Sequence, residues 1–272
     1  MEQYFDIRQD DLLIPGLSRP VTFLHISDSH LCMIDDLTPE DEAARLQTRE
    51  AFWRDGKEGF ARYFGEPYTE EKRETSTGGA FERLMGYAED AGVAAVLSTG
   101  DLFEHMHDSG VRFLKKQLEG RTFDFIAVPG NHEEAVCEGV WCARIQLFEY
   151  DGFRVVTVDD RKRTLEPETL DALEAVCREG VPVILMMHVP LLTANNLSSR
   201  LGHMDTYYFI DERTCDASGR RFLEILRSTS AVRMILCGHI HGYTVTEPVP
   251  GLRQVTAPQG MIGGGHLLTV HG

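Results

Sequence analysis

The 272-residue sequence has no apolar run approaching the ~18 residues that a membrane-spanning helix needs, so no such helix is expected. Its start, M-E-Q-Y-F-D-I-R-Q-D-D, is acidic and holds no hydrophobic signal segment, so it does not read as secretory. Six cysteines (Cys32, Cys137, Cys142, Cys177, Cys215, Cys237) form no C-x-x-C pair, and reduced thiols are expected rather than a disulfide framework. These absences together point to a cytoplasmic protein. Positive charge is scarce, with 27 basic against 43 acidic residues and a formal net charge of -16. Only the short R-K-R at 161–163 breaks the pattern, and it reads as a solvated turn. A protein that tracks nucleic acid needs a basic face to neutralise phosphate, so no nucleic-acid partner is expected. No repeat or low-complexity linker divides the chain, and one domain over 1–272 is expected.

What is present is a set of five short apolar runs, each ending on a residue that can bind a metal. V-T-F-L-H-I-S leads to Asp28, V-A-A-V-L-S-T-G to Asp101 and F-D-F-I-A-V-P-G to Asn131. V-P-V-I-L-M-M leads to His188 and V-R-M-I-L-C-G to His239. Such runs, spaced by helical or polar stretches, read as buried strands of an α/β sheet. The functional crevice of these sheets lies outside the carboxyl ends of the strands, so carboxylates, an amide and imidazoles should collect at one edge.

The motifs are Asp28-Ser29-His30, Gly100-Asp101-Leu102-Phe103-Glu104, Gly130-Asn131-His132-Glu133, Met187-His188 and Gly238-His239-Ile240-His241. On an extended segment, D-x-H and G-H-x-H would each point two side chains the same way. Glycine before Asp101, Asn131 and His239 permits a sharp turn and a close approach of backbone. Mixed Asp, His and Asn donors suit manganese, iron or zinc better than calcium. Any one motif is weak; five in this order, each after a strand, form a specific signal.

From about Val21 to Val270 the sequence resembles the calcineurin-like metallophosphoesterase superfamily, whose signature these five motifs match. The resemblance implies a two-sheet α/β sandwich, mixed sheets flanked by helices, with two divalent metal ions at the strand ends. Carried over by position, Asp28, His30 and His241 would hold one metal, Asn131, His188 and His239 the other, and Asp101 would bridge them. His132 stands where the family has a non-ligand histidine beside the scissile ester. Glu104 stands where many relatives have the Asp that orients that histidine. The implied chemistry is hydrolysis of a phosphate ester by a hydroxide held between the metals.

Substrate choice must come from segments around this edge. The polar stretch at about 35–91 carries two helical signatures, one opening at Thr38-Pro39-Glu40 with Thr38 as N-cap and interrupted by Gly56 and Gly59, one over about 79–91. It reads as a helical insertion, either a surface layer or a partial cap. The aperiodic segment 193–218 follows a ligand strand, and its Asn195, Asn196, Arg200 and His203 are candidate contacts for a phosphate or polar leaving group. A small phosphodiester or nucleotide is the expected substrate, with a phosphomonoester or protein phosphatase as the alternative. A nuclease would want a basic channel. A silent scaffold would have lost ligands, and all seven are here. His25 is expected in the core, His105 and His107 at the cleft border, and His266 and His271 in structural or exposed positions.

Overall fold

A computed structural model describes residues 4–133 and 145–272; Cys137 and Cys142 lie outside them. The element order is β1 (Asp6–Leu13), β2 (Val21–Ile26), α1 (Glu40–Phe64), α2 (Glu70–Glu74), α3 (Thr77–Ala91), β3 (Ala95–Ser98), α4 (Asp108–Leu118) and β4 (Asp124–Ala127). After the undescribed stretch come β5 (Gln146–Tyr150), β6 (Phe153–Thr157), α5 (Pro167–Arg178), β7 (Val183–Met186), β8 (Leu191–Leu192), β9 (Ile210–Asp211), α6 (Ala217–Ser228), β10 (Val232–Cys237), β11 (Thr244–Val249), β12 (Leu252–Thr256) and β13 (Gly264–His271).

The five apolar runs become β2, β3, β4, β7 and β10, and they divide between two sheets. The first sheet has the order β1-β13-β2-β3-β4 and the second β11-β12-β10-β7-β6-β5. β2, β3 and β4 run parallel, as do β6, β7, β10 and β12. Alternation along each strand splits the side chains between two buried faces. Phe23, Leu97 and Ile126 meet Val155, Ile184, Met186, Leu236 and Val255 between the sheets. Leu24 and Ile26 point outward to Phe81, Leu84 and Met85 of α3 and Leu114 of α4. On the far side, Val183, Leu185 and Ile235 pack on α5 and α6 through Leu173, Phe222 and Leu226. Burying each such side chain is worth roughly 1.5–3 kcal/mol, so a sandwich with both sheets covered by helices follows from runs this apolar.

Several local expectations change. Thr38 is not the N-cap of α1: Pro39 is, without a side-chain bond, and the Thr38 hydroxyl turns back to Asp35 at 2.9 Å. Gly56 and Gly59 do not interrupt α1, which runs unbroken for 25 residues. α3 begins earlier than 79, at Thr77, because Ser76 caps it by accepting from Gly79 N. The antiparallel C-terminal reading holds for β11 against β12, but β13 leaves for the first sheet, antiparallel to β2 and parallel to β1. There His266 is fully buried, with its Nδ1 3.3 Å from that of His25, which fits the structural one of its two expected positions. No helix among the described residues is long and apolar enough to cross a membrane.

Candidate metal centre

The ligand motifs sit in loops just past the strand ends, and those loops are laced together by their own backbone. Asp28 N donates to Gly100 O at 3.0 Å and His30 N to Asp101 O at 2.9 Å. The Asp28-x-His30 and His239-x-His241 pairs are not extended. Asp28, His30, Asp101, His239 and His241 all adopt positive φ, between 44° and 70°. For a side chain with a Cβ this conformation costs on the order of 1–2 kcal/mol per residue, and it persists only where surrounding structure over-determines it. Five of the seven expected ligands carry that strain. Glycine serves close packing here: a Cβ on Gly130 would collide with Asp101, and one on Gly238 with Ser27.

The resulting geometry holds two ligand clusters. One donor atom each from Asp28, His30, Asp101 and His241 lie within 4.8 Å of one another, as do donors from Asp101, His188 and His239. Asp101 belongs to both. Asn131 joins the second cluster, its Oδ1 3.1 Å from His188 Nε2. His30 and His241 present their Nε2 atoms to each other at 3.1 Å, and His239 Nε2 is buried with no hydrogen-bond partner. Converging imidazole nitrogens beside buried carboxylates leave acceptors facing acceptors, an arrangement that a divalent cation satisfies. The donors present therefore fit the two-ion set.

Without cations the charges are hard to accommodate. Burial, reinforced by Asp101, raises the Asp28 carboxyl to about 7. Burial would raise Asp101 too, but His188, His30 and His132 hold it well below the ordinary range. Burial pulls His188 down, yet Asp101, Asp28 and Asp160 lift it to about 10, while burial and the charge of His188 depress His239 to about 3. Like donors are thus driven to opposite protonation states.

Behind the ligands stand carboxylates. His188 Nδ1 donates to Thr99 O at 2.7 Å, and Asp160 accepts from the backbone N–H of His188 at 2.8 Å and Val189 at 2.9 Å. Glu133, fourth in its motif, accepts from Gly130 N, Asp101 N and Phe103 N at 2.6, 3.1 and 2.8 Å, fixing two ligand loops from one buried side chain. Glu104 lies 3.1 Å from His30 Nδ1 through its carboxylate, which also accepts from Trp53 Nε1 at 2.7 Å and from Arg49 Nε. His132 Nδ1 donates instead to the Glu104 backbone carbonyl at 2.7 Å, with the carboxylate 3.6 Å away. Burial lowers the pKa of His132, but Asp101 and the Glu104 carbonyl and carboxylate outweigh it and the net shift is upward.

The helical insertion reaches this centre. Trp53 lies against His30 at 4.2 Å between ring centroids, and Phe60 against His241 at 4.5 Å. On the other side Tyr208 meets His239 at 5.5 Å. None of Arg49, Trp53, Phe60, Asp160 or Tyr208 stood out in the sequence; a Trp among polar residues beside Phe52 and Phe60 was the available signal. The four candidate substrate residues divide. Asn196 is buried, its amide spent on Thr193 N, Leu191 O and Thr246 Oγ1, and Asn195 Nδ2 binds Pro248 O. These two amides shape the loop. Arg200 donates to Tyr63 O and lies beside the Tyr63 and Phe64 rings. His203 lines a cavity of about 370 Å³ between α1 and the turns at 200–208. His105 and His107 are held by Glu42 and by the carbonyls of His105 and Met33.

The calcineurin-like phosphoesterase family model matches residues 21–243. A dimetal phosphatase from Danio rerio is similar in structure at TM-score 0.58 and 13% identity, covering 91% of each chain. A purple acid phosphatase from yellow lupin (Lupinus luteus) seeds is similar at TM-score 0.51 and 14% identity over 92% of this chain and 45% of that longer one. No curated protein sequence matches the chain significantly. At these identities the two structures speak for the fold alone. The family match covers the strands and loops that carry all five motifs, and by it the chain belongs to the calcineurin-like phosphoesterases, metal-dependent hydrolases of phosphoric esters.

Proposed function

We propose that this chain hydrolyses a small phosphate ester, a phosphodiester or nucleotide in preference to DNA or RNA, at a site for two divalent cations. Asp28, His30 and His241 would hold one, Asn131, His188 and His239 the other, and Asp101 both. The observation that carries the reading is the membership of Asp101 in both buried clusters. Two cations bound there supply an acidified water and draw charge from the phosphate oxygens. The chain's own residues do the rest. Trp53 and Phe60 on one side and Tyr208 on the other keep bulk water from the imidazoles. His132 is fixed at Nδ1 by the Glu104 carbonyl, so its ring is oriented and Nε2 is left for the ester, where it would donate to a phosphoryl or leaving-group oxygen. The charge of -16 repels long polyanions but not a small ester drawn to cations.

A manganese-supplemented screen of bis-p-nitrophenyl phosphate, p-nitrophenyl phosphate, a nucleotide panel and duplex DNA tests this. Turnover of small esters with DNA untouched is expected; efficient cleavage of DNA would overturn the preference. His132→Ala should retain its metal while turnover falls by about a hundred- to ten-thousand-fold. Loss of metal in that variant would remove His132 from the assigned role.

A further inference from the structure

Gly56 and Gly59 lie in the interior of α1, where glycine is the least favourable residue apart from proline. Their occurrence three apart places them on one helical face, the face that also carries Phe60 and Tyr63. A Cβ added at either position would meet nothing within 4 Å. Packing against the rest of the protein therefore does not require glycine at either place. Both line the cavity of about 370 Å³, together with Tyr208. The same Phe60 and Tyr208 that line it also lie against His241 and His239, at 4.5 and 5.5 Å between ring centroids, so the cavity and the candidate metal centre share these two rings as walls. Its size falls within the range of small-molecule sites. Its lining among the described residues holds no Lys or Arg and includes the Asp205 carboxylate, which disfavours a phosphate inside it.

We infer that this cavity is a slot for a planar aromatic group of the ester, an aryl ring or a nucleobase, which lies over Gly56 and Gly59 against Phe60, Tyr63 and Tyr208 while the phosphate sits at the cations. The inference rests on the proposed hydrolase reading and names its substrate class. Three aromatic rings offer stacking partners to a ring of any sequence or substituent pattern. The two missing side chains leave the floor flat, and any Cβ there takes volume from the ligand rather than from the protein.

Calorimetric titration of manganese-loaded protein with phenyl phosphate, adenosine monophosphate and methyl phosphate tests the slot separately from catalysis. At least one aromatic ester should bind about tenfold or more tightly than methyl phosphate, as expected for added contacts in an apolar pocket. Phenyl phosphate and the nucleotide tell an aryl from a nucleobase occupant. Gly59→Leu should erase that preference and leave methyl phosphate binding unchanged. The milder Gly56→Ala and Gly59→Ala keep the test valid should the leucine variant fold poorly: they should raise Tm by a few °C while weakening the aromatic ligands alone. Equal binding of all three ligands by the unaltered protein, or an aromatic preference that survives both glycine replacements, would overturn the slot. Failure to turn over any ester, with the binding preference intact, would instead count against the hydrolase reading.

Discussion

His30 and His188 occupy matching places on the two sides of Asp101, yet they are held by different means. His188 is fixed by the sheet itself: its ring donates to a backbone carbonyl at Thr99, and Asp160 grips the peptide N–H groups of His188 and Val189. His30 is fixed by side chains, through the Glu104 carboxylate, which is in turn held by Arg49 and Trp53 of the insertion. One half of the centre belongs to the core fold; the other half borrows its second layer from α1. The surroundings of His30 are thus tied to α1, while those of His188 are tied to the strands and their loops.

The comparison can be broken most severely at the shared ligand. Asp101→Asn should reduce the content of both ions, and metal analysis of the purified variant should show a greater loss than removal of either His30 or His188 alone. Retention of one full equivalent would mean that Asp101 does not serve both sites. Next in size, Trp53→Phe or Glu104→Gln should weaken one ion's affinity by about 10–100-fold, the usual cost of losing an outer partner, and leave the other unchanged. Metal titration that shows both sites weakened together would erase the distinction drawn here.

A smaller effect concerns how the insertion is fastened. Glu66, just past α1, is buried and accepts from Tyr243 N at 2.7 Å, two residues beyond His241. Burial raises its carboxyl from 4.5 to about 7. The folded protein then keeps a proton that the unfolded chain releases, so this group's contribution is full below about pH 4.5 and declines as pH rises through 7. Glu66→Gln should remove that decline. Relative to the parent protein its stability should grow by on the order of 3 kcal/mol between pH 4.5 and 8, measured by denaturant unfolding of metal-free protein. A difference that does not vary with pH would show that Glu66 titrates normally.

Much of the sheet and its edge was legible because β2, β3, β4, β7 and β10 are largely buried on both faces and so read as mainly apolar runs. The outer strands were not. β1, D-I-R-Q-D-D-L-L, pairs along one edge and needs few apolar residues. The β5–β6 hairpin, closed by Asp151-Gly152 with Gly152 at φ 82°, went unread because its strands lack a metal motif at their ends. The ligand assignment rested on the family resemblance, carried over by position, whereas the positive φ of these residues was not legible, since D-x-H is equally compatible with an extended segment. Trp53 and Phe60 were illegible as neighbours of His30 and His241 because such contacts are set by how α1 packs, and Phe60 is placed only because α1 continues through Gly56 and Gly59, against helix propensity. Glu104 shows the limit most clearly: position suggested a partner for His132, and only coordinates reveal that its carboxylate is 3.1 Å from His30.

The two ligand sets each draw from both sheets: Asp28 and His30 follow β2 while His241 follows β10, and Asn131 follows β4 while His188 follows β7. On the proposed assignment each cation is then a rivet through the sandwich. Ions that bind only the joined sheets add their binding free energy to folding. Metal-loaded protein should therefore resist unfolding better than the metal-free protein, by an amount that grows with the concentration of the ion.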